Sequence, residues 1–244
     1  MKTPRLFASN VACAAWLGLL VPISAQALPM LVNGGFEAGL SGWTRVEQLG
    51  SDGTFYLQSG TTSPVAGDPV PAPPQGTNAA MTDPSGGGSH VLYQDFTASA
   101  GAATLSFSLY VGNRGDAFYV PGHLDWAGVD LNQQARVDIL RSGADVFSVA
   151  AADVLLSLFS TNVGDPLVSG YSTYAFDVTS LLAAHAGETL RLRFAEVDNV
   201  APFQFGVDDV RFDAVTPVPE PETLVLLGAG LAALVGRVAK RRRG

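Results

Sequence analysis

Between Tyr119 and Asp138 the chain gathers Asp125, Trp126, Asp130, Asn132, Gln133, Gln134 and Arg136. An aromatic face stacks on a sugar ring while amides and carboxylates hold its hydroxyls. Trp126 with Tyr119 or Tyr110, flanked by Asp125 and Asn132, is therefore a candidate wall of a glycan groove. A competing reading keeps Trp126 in the core, the usual place for a tryptophan in a domain of this size. Glycoside hydrolysis asks for another pattern, two carboxylates about 5 to 10 Å apart. Glu196 and Asp198 are the nearest such pair in sequence, but a domain rich in acids offers pairs by chance. There is no G-x-S-x-G elbow, no H-E-x-x-H and no P-loop, and His90, His123 and His185 are scattered. The expectation is a protein without catalysis.

The elements that must position these residues read as short strands. Thr104 to Val111 alternates, with Leu105, Phe107, Leu109 and Val111 on one face and Ser106, Ser108 and Tyr110 on the other, the pattern of a half-buried antiparallel strand. In Thr189 to Glu196, Leu190, Leu192 and Phe194 point inward and Arg191, Arg193 and Glu196 do not. Arg193, Glu196 and Asp198 then read as a solvated ladder of opposite charges. Further strands are expected at His90 to Phe96, Arg136 to Leu140, Tyr174 to Val178 and Phe203 to Phe212, separated by Gly, Asn, Asp and Pro. Two stretches read as short helices, Ala150 to Phe159 and Ser180 to His185, the second with Thr179 or Ser180 as its cap. Thr61 to Gly88, with five prolines up to Pro74 and then Gly86-Gly87-Gly88, reads as one long surface loop.

Both ends of the chain carry address signals. Lys2 and Arg5 precede an apolar stretch from Val11 to Ile23, and Ala25-Gln26-Ala27 is an A-x-A cleavage site, so signal peptidase is expected to leave Leu28 first. Cys13, the only cysteine, falls inside this signal, so the mature domain has no thiol and no disulfide. Residues 28–216 then form one domain with 20 acidic and 7 basic residues, a net charge of −13, and no lysine. Nucleic acid binding needs clustered positive charge to replace counterions, so that class is excluded. A neutral glycan, a cation or a basic partner fits the charge.

The C-terminal segment, residues 217–244, has three physical parts: a Pro-rich linker, an apolar run from Leu224 to Gly236, and the basic end Arg237, Lys240, Arg241, Arg242 and Arg243. A helix of those 13 apolar residues reaches about 20 Å, short of the roughly 30 Å hydrocarbon core, unless it is extended to Ala239 with Arg237 snorkelling. The basic end acts as a membrane stop and by the positive-inside rule stays cytoplasmic, which leaves everything before Leu224 outside. Val218-Pro219-Glu220-Pro221, the apolar run and the terminal arginines together resemble the PEP-CTERM sorting tail of bacterial exported proteins. The resemblance implies recognition by an exosortase, removal of the helix, and release or attachment at the cell surface alongside exopolysaccharide production.

Leu31-Val32-Asn33-Gly34-Gly35-Phe36-Glu37, closed by Gly42-Trp43, resembles the first strand of galactose-binding-like β-sandwiches, the jelly-roll group that includes many carbohydrate-binding modules. Phe205-Gly206-Val207-Asp208-Asp209-Val210-Arg211-Phe212 resembles their last strand. This likeness implies an all-β jelly-roll sandwich with one or two short helices, whose first and last strands are neighbours. It also implies a structural calcium beside those strands, for which Glu37 and Asp208 are the matching carboxylates, although two solvated strand-end acids read equally well. The functional expectation is an exported surface or matrix protein that binds a glycan without catalysis, with a purely structural matrix role and a glycan hydrolase as the alternatives.

Overall fold

The computed structural model describes residues 30–101 and 103–214. The signal cleavage residues Ala25, Ala27 and Leu28 lie outside this range, as does the whole C-terminal tail. Among the described residues, no helix is long and apolar enough to cross a membrane.

Among the described residues, ten strands and one short helix are present, the strands forming two five-stranded antiparallel sheets. In chain order they are β1 (Thr44–Glu47), β2 (Phe55–Ser59), β3 (Asn78–Thr82), β4 (Gly88–Thr97), β5 (Ala103–Asn113), β6 (Gln133–Arg141), β7 (Val154–Ser160), β8 (Ser172–Asp177), β9 (Thr189–Asp198) and β10 (Phe203–Ala214), with the single short helix α1 (Thr179–Ala184) between β8 and β9. One sheet runs β1-β4-β9-β6-β7 and the other β2-β3-β10-β5-β8. Most neighbours are far apart in sequence because the chain passes repeatedly from sheet to sheet, the architecture of a jelly-roll sandwich.

The inner faces supply the core. Leu92 and Phe96 of β4, Leu190, Leu192 and Phe194 of β9, and Val137 and Ile139 of β6 meet Leu105, Phe107 and Leu109 of β5 and Phe203, Phe205 and Val207 of β10. Phe107 and Phe194 make an edge-to-face contact across the sandwich at 5.6 Å between ring centroids, a geometry that adds to the area each ring buries. Smaller apolar clusters cover the outer faces: Val91, Ala195 and Val197 lie under Leu124 and Trp126 on one side, and Met81 and Tyr110 under Val70 and Tyr171 on the other.

The covered outer faces explain several departures from the sequence reading. Ser106, Ser108 and Tyr110 of β5 are buried rather than solvated, and Ser108 bonds Thr173 of β8 at 2.9 Å. Thr61 to Gly88 is not one loop: Asn78–Thr82 is β3, held between β2 and β10, while Val70 upstream packs on the outer sheet face. The prolines all lie outside β3, so the ladder is intact. The expected helix at Ala150 to Phe159 is instead largely β7, paired with β6 through two register irregularities. Asp153 and Ser157 imitate a helical polar stripe, but pairing with a central strand decides the outcome. The second helix is present as α1, with Val178 at its N-cap and no side-chain cap. Thr179 Oγ1 accepts from the Ala103 amide instead, and Asp177 Oδ1 accepts the Thr179 amide.

The segment 31–37 is a set of turns rather than a strand, with Asn33 and Phe36 at positive φ. It lies against β10 as the family pattern implies: the Val210 amide donates to Gly34 O at 2.9 Å, and a Cβ at Gly34 would collide with the Val210 carbonyl.

Candidate functional site

One pole of the sandwich collects the ends of β1, β3 and β5 and the starts of β2, β4, β6 and β10. Loops 48–54, 83–87, 123–132 and 199–202 converge there through side-chain hydrogen bonds. Gln48 is one hub: its Nε2 donates to Asp125 Oδ1 at 2.5 Å, and its Oε1 accepts from Ser89 Oγ at 3.0 Å. Asn199 is another, donating from Nδ2 to the carbonyls of Trp126 and Asp130. Asp52 accepts the amides of Ser85 and Gly86. An open groove of about 390 Å³ at this pole is lined by Arg45, Glu47, Ser51, Gly53 and Thr54, and a smaller cavity of about 150 Å³ lies between residues 85–87 and 198–202.

The residues expected to form a glycan wall are divided by the structure. Trp126 packs against Val91, Ala195 and Val197 and lies close to Gly50 and Gly87, the second leaving room that a side chain would take from its ring. Its Nε1 is buried without a hydrogen-bond partner. Asp125 is exposed beside Gln48. Asn132 is buried and its amide donates to the carbonyls of His123 and Asp125, so it shapes the loop and is withdrawn from a sugar. Tyr119 bridges Gln133 through backbone bonds, and its hydroxyl donates to Asp116 at 3.3 Å. Arg45, Glu47 and Thr54, which line the groove, carry no motif that sequence reasoning could use; β1 and β2 are too short to show alternation.

Beneath the small cavity lies a cluster that the sequence reading placed on the wrong face. Glu196 and Asp198 share the parity of Leu190, Leu192 and Phe194, so they point into the sandwich; Arg191 and Arg193 point out. Glu196 is opposite His90 in the β4–β9 register, and Asp198 is opposite Gly88. One ligand-type atom from each of His90, Glu196 and Asp198 lies within 4.8 Å of the others, with His90 Nε2 and Glu196 Oε2 4.0 Å apart. All three side chains are at most 1% exposed. Burial drives the Glu196 carboxyl well above the usual carboxylate range and the Asp198 carboxyl to about 8, even though the Gly88 amide bond favours its charged form. Burial also lowers His90 to about 4, against the attraction of Asp52. As a glycosidase pair Glu196 and Asp198 fail on access, since no sugar ring reaches carboxylates that are at most 1% exposed.

The other acid pair lies further along β10. Glu37 is exposed and accepts the amides of Thr77 and Asn78 at 2.8 Å each, bonds that hold its carboxyl below the usual range. Asp208 is buried and accepts the amides of Gln75 and Asp209. Desolvation pushes it up to about 7, with Glu37 contributing repulsion. The loop 75–78 therefore bonds to both carboxylates. Side chains at Gly35 and Gly76 would collide with Gln75 Oε1 and with the Glu37 carboxylate. A carboxylate has about four lone-pair sites; Glu37 accepts a third bond from the Thr77 hydroxyl, so it keeps about one site and Asp208 about two for a hard cation, and the all-oxygen donor set suits calcium.

Residues 217–243 match the PEP-CTERM protein-sorting motif. That motif implies export and a membrane-anchored precursor processed by an exosortase. No curated protein matches the chain in sequence. In structure the chain is similar to the TmCBM61 module solved in complex with beta-1,4-galactotriose, at 13% identity and a TM-score of 0.46 over 77% of this chain and 99% of that one. It is also similar to a cleaved adhesin domain of Lys-gingipain from Porphyromonas gingivalis (13% identity, TM-score 0.46, 74% and 97% covered). A third likeness is to the Stig cyclase Fisc from Fischerella sp. TAU (17% identity, TM-score 0.43, 77% and 98% covered). A carbohydrate-binding module and a cyclase thus both stand among the structural neighbours of this sandwich.

Proposed function

We propose that the mature domain is a non-catalytic glycan-binding sandwich, carried to the cell surface or extracellular matrix by exosortase sorting and working there in contact with exopolysaccharide. The observation that carries the binding half is the open polar groove at the loop pole. Its volume of about 390 Å³ falls within the range of small-ligand sites. Arg45 keeps donors beyond the one that Nη1 gives the Phe55 carbonyl, and Glu47 keeps acceptor sites beyond the one that the Thr54 hydroxyl fills, while the Ser51 hydroxyl is held by Ser89. Gln48 ties the groove's rim to the loop of Asp125 and Trp126, but neither of those two lines it, so the polar side chains carry the sugar contact. A calcium at Glu37 and Asp208 is part of the same reading, as a clamp that joins the N-terminal turns to β10 away from the groove.

The test is retardation of the exported protein on an affinity gel that carries the producer's own exopolysaccharide, with a glycan array to name the sugar. Retardation that is lost in Arg45→Ala and Glu47→Gln supports the proposal. Migration unaffected by any glycan assigns the protein to a purely structural matrix role.

A further inference from the structure

The geometry points to a second, independent site: His90, Glu196 and Asp198 form a buried binding site for a divalent first-row transition cation of the zinc class. The ligand set is one imidazole and two carboxylates, all on the inner face of the β4–β9 pair and all at most 1% exposed. Calcium asks for six to eight oxygens, which this pocket does not present, whereas mixed nitrogen and oxygen donors suit zinc and its neighbours.

The second observation is that these side chains are unpartnered. Both ring nitrogens of His90 and both carboxylate oxygens of Glu196 are buried without a hydrogen-bond partner. Buried polar groups are normally satisfied, so His90 Nε2 facing Glu196 Oε2 at 4.0 Å, with neither atom bonded, calls for something between them. Thr82, the hydroxyl near Glu196 from the opposite sheet, is already committed: it donates to the Phe203 carbonyl at 3.0 Å and accepts the Phe205 amide at 2.9 Å. A tetrahedral ion with bonds of 2.0 to 2.1 Å needs its ligand atoms about 3.4 Å apart. The His90–Glu196 separation of 4.0 Å closes to that by a modest side-chain shift.

The surroundings are built for such a site. Gly88 leaves the space that the His90 ring occupies, since a Cβ there would collide with Nε2. The Gly88 amide bonds Asp198 Oδ1 at 2.9 Å and orients that carboxylate, as outer-shell donors do around metal ligands. Asp198 also lines the small cavity, which provides an access route and room for a solvent oxygen as a fourth ligand. Two carboxylates and one cation give a neutral site. A bound ion fastens β4 to β9 directly beneath the loops that carry the groove. None of this depends on glycan binding.

The experiment takes the full chain in detergent, strips it with a chelator, and titrates it with Zn²⁺ alone by calorimetry. The expected result is saturation at one equivalent per chain. At Zn²⁺ 100 times its dissociation constant, the melting temperature should rise roughly 5 to 11 °C. Glu196→Gln keeps the shape of a side chain buried in an apolar setting, and it should weaken Zn²⁺ binding by more than the roughly 10- to 100-fold typical of losing an outer-shell partner. Asp208→Asn, in the other acid pair, should leave Zn²⁺ binding unchanged. Co²⁺ in place of Zn²⁺ should give d–d bands that change in His90→Gln. Non-saturable Zn²⁺ binding, equal affinity in Glu196→Gln, or displacement of Zn²⁺ by an equal concentration of Ca²⁺ would overturn the assignment.

Discussion

Arg193 is the largest fully buried side chain of the domain, and its removal is the sharpest test of how the outer face of the β4–β9 sheet is held. Its Nη2 donates to Asp138 Oδ2 at 2.5 Å, and its Nη1 donates to the carbonyls of Val146 and Ser148 at 2.7 Å each. One guanidinium thus ties β9 to β6 and pins the loop after β6 over the sheet. Desolvation works against the Arg193 charge and Asp138 works for it, and an arginine stays protonated throughout. Arg193→Met keeps most of the length and apolar stem but leaves two carbonyls and part of a buried carboxylate unpaired. Breaking a buried pair from one side costs about 3 to 5 kcal/mol. Asp138 keeps its two-pronged bond to Arg136, at 2.7 Å in each arm, which places the loss towards the lower end of that range.

For a domain of this size that loss corresponds to a fall in melting temperature of roughly 6 to 20 °C. Calorimetry or circular dichroism of wild type, Arg193→Met, Asp138→Leu and the double variant measures it. The double variant should melt no higher than Arg193→Met, because removing Asp138 also takes the acid partner from Arg136. A fall of less than about 2 °C in Arg193→Met would refute the reasoning, since it falls below even the low end of the cost of a stranded buried charge.

Three further outcomes are expected. Replacing Pro219-Glu220-Pro221 by alanines should leave the protein uncut and membrane-retained in a host with an exosortase, and fractionation that shows equal release of mutant and wild type would contradict it. Calcium at 100 times its dissociation constant should raise the melting temperature by roughly 5 to 11 °C, an effect absent in Asp208→Asn; a curve unmoved by calcium or chelator would mean that Glu37 and Asp208 are merely hydrogen-bonded acids. Chelated protein should lose stability steadily from about pH 5 to pH 8, because the unfolded chain releases these acid protons near pH 4 while the folded chain keeps them. Asp198 at about 8 and Asp208 at about 7 hold their protons when folded and surrender that advantage as pH rises through those values. His90, which the fold keeps neutral down to about 4, contributes with the opposite sign below pH 6.5, but its one proton is outweighed by those of the two acids and only shallows the slope there. A melting temperature flat from pH 5 to 8 in chelator would argue against the burial of these acids.

Strands with an apolar stripe were legible in the sequence because one face of each meets the core. β4, β5, β6, β8, β9 and β10 all carry such a stripe, and each of their expected ends falls within three residues of the observed one. β1, β2 and β3 were not legible, for two reasons. β1 and β2 are only four and five residues long, too short for a period of two to show. β3 reads Asn-Ala-Ala-Met-Thr, buried on both faces, so it has no alternation at all. β7 was misread because an apolar run with polar residues four apart satisfies a helical period as well as a strand that pairs with an irregular register. The acid pair at Glu37 and Asp208 came from family motifs, and the groove residues had no signal in sequence at all.

The misplacement of Glu196 and Asp198 has a more specific cause. A charged residue after an apolar stripe is ordinarily taken to mark the stripe's end or a change of face, because burying a carboxylate is costly. β9 does neither: the period of two continues unbroken from Leu190 through Phe194 to Asp198, and the register with β4 sets His90 opposite Glu196. Had strand parity been given priority over polarity, the sequence alone would have put both acids inside the sandwich and asked what neutralises them. The same rule applied to the other face would have found Arg191 beside Asp95 at 2.7 Å and Arg193 beside Asp138. On the outer face each buried or half-buried arginine has an acid partner. On the inner face two acids share one histidine that burial keeps uncharged. That imbalance, in an otherwise well-paired sheet, is the physical reason to look for a cation there.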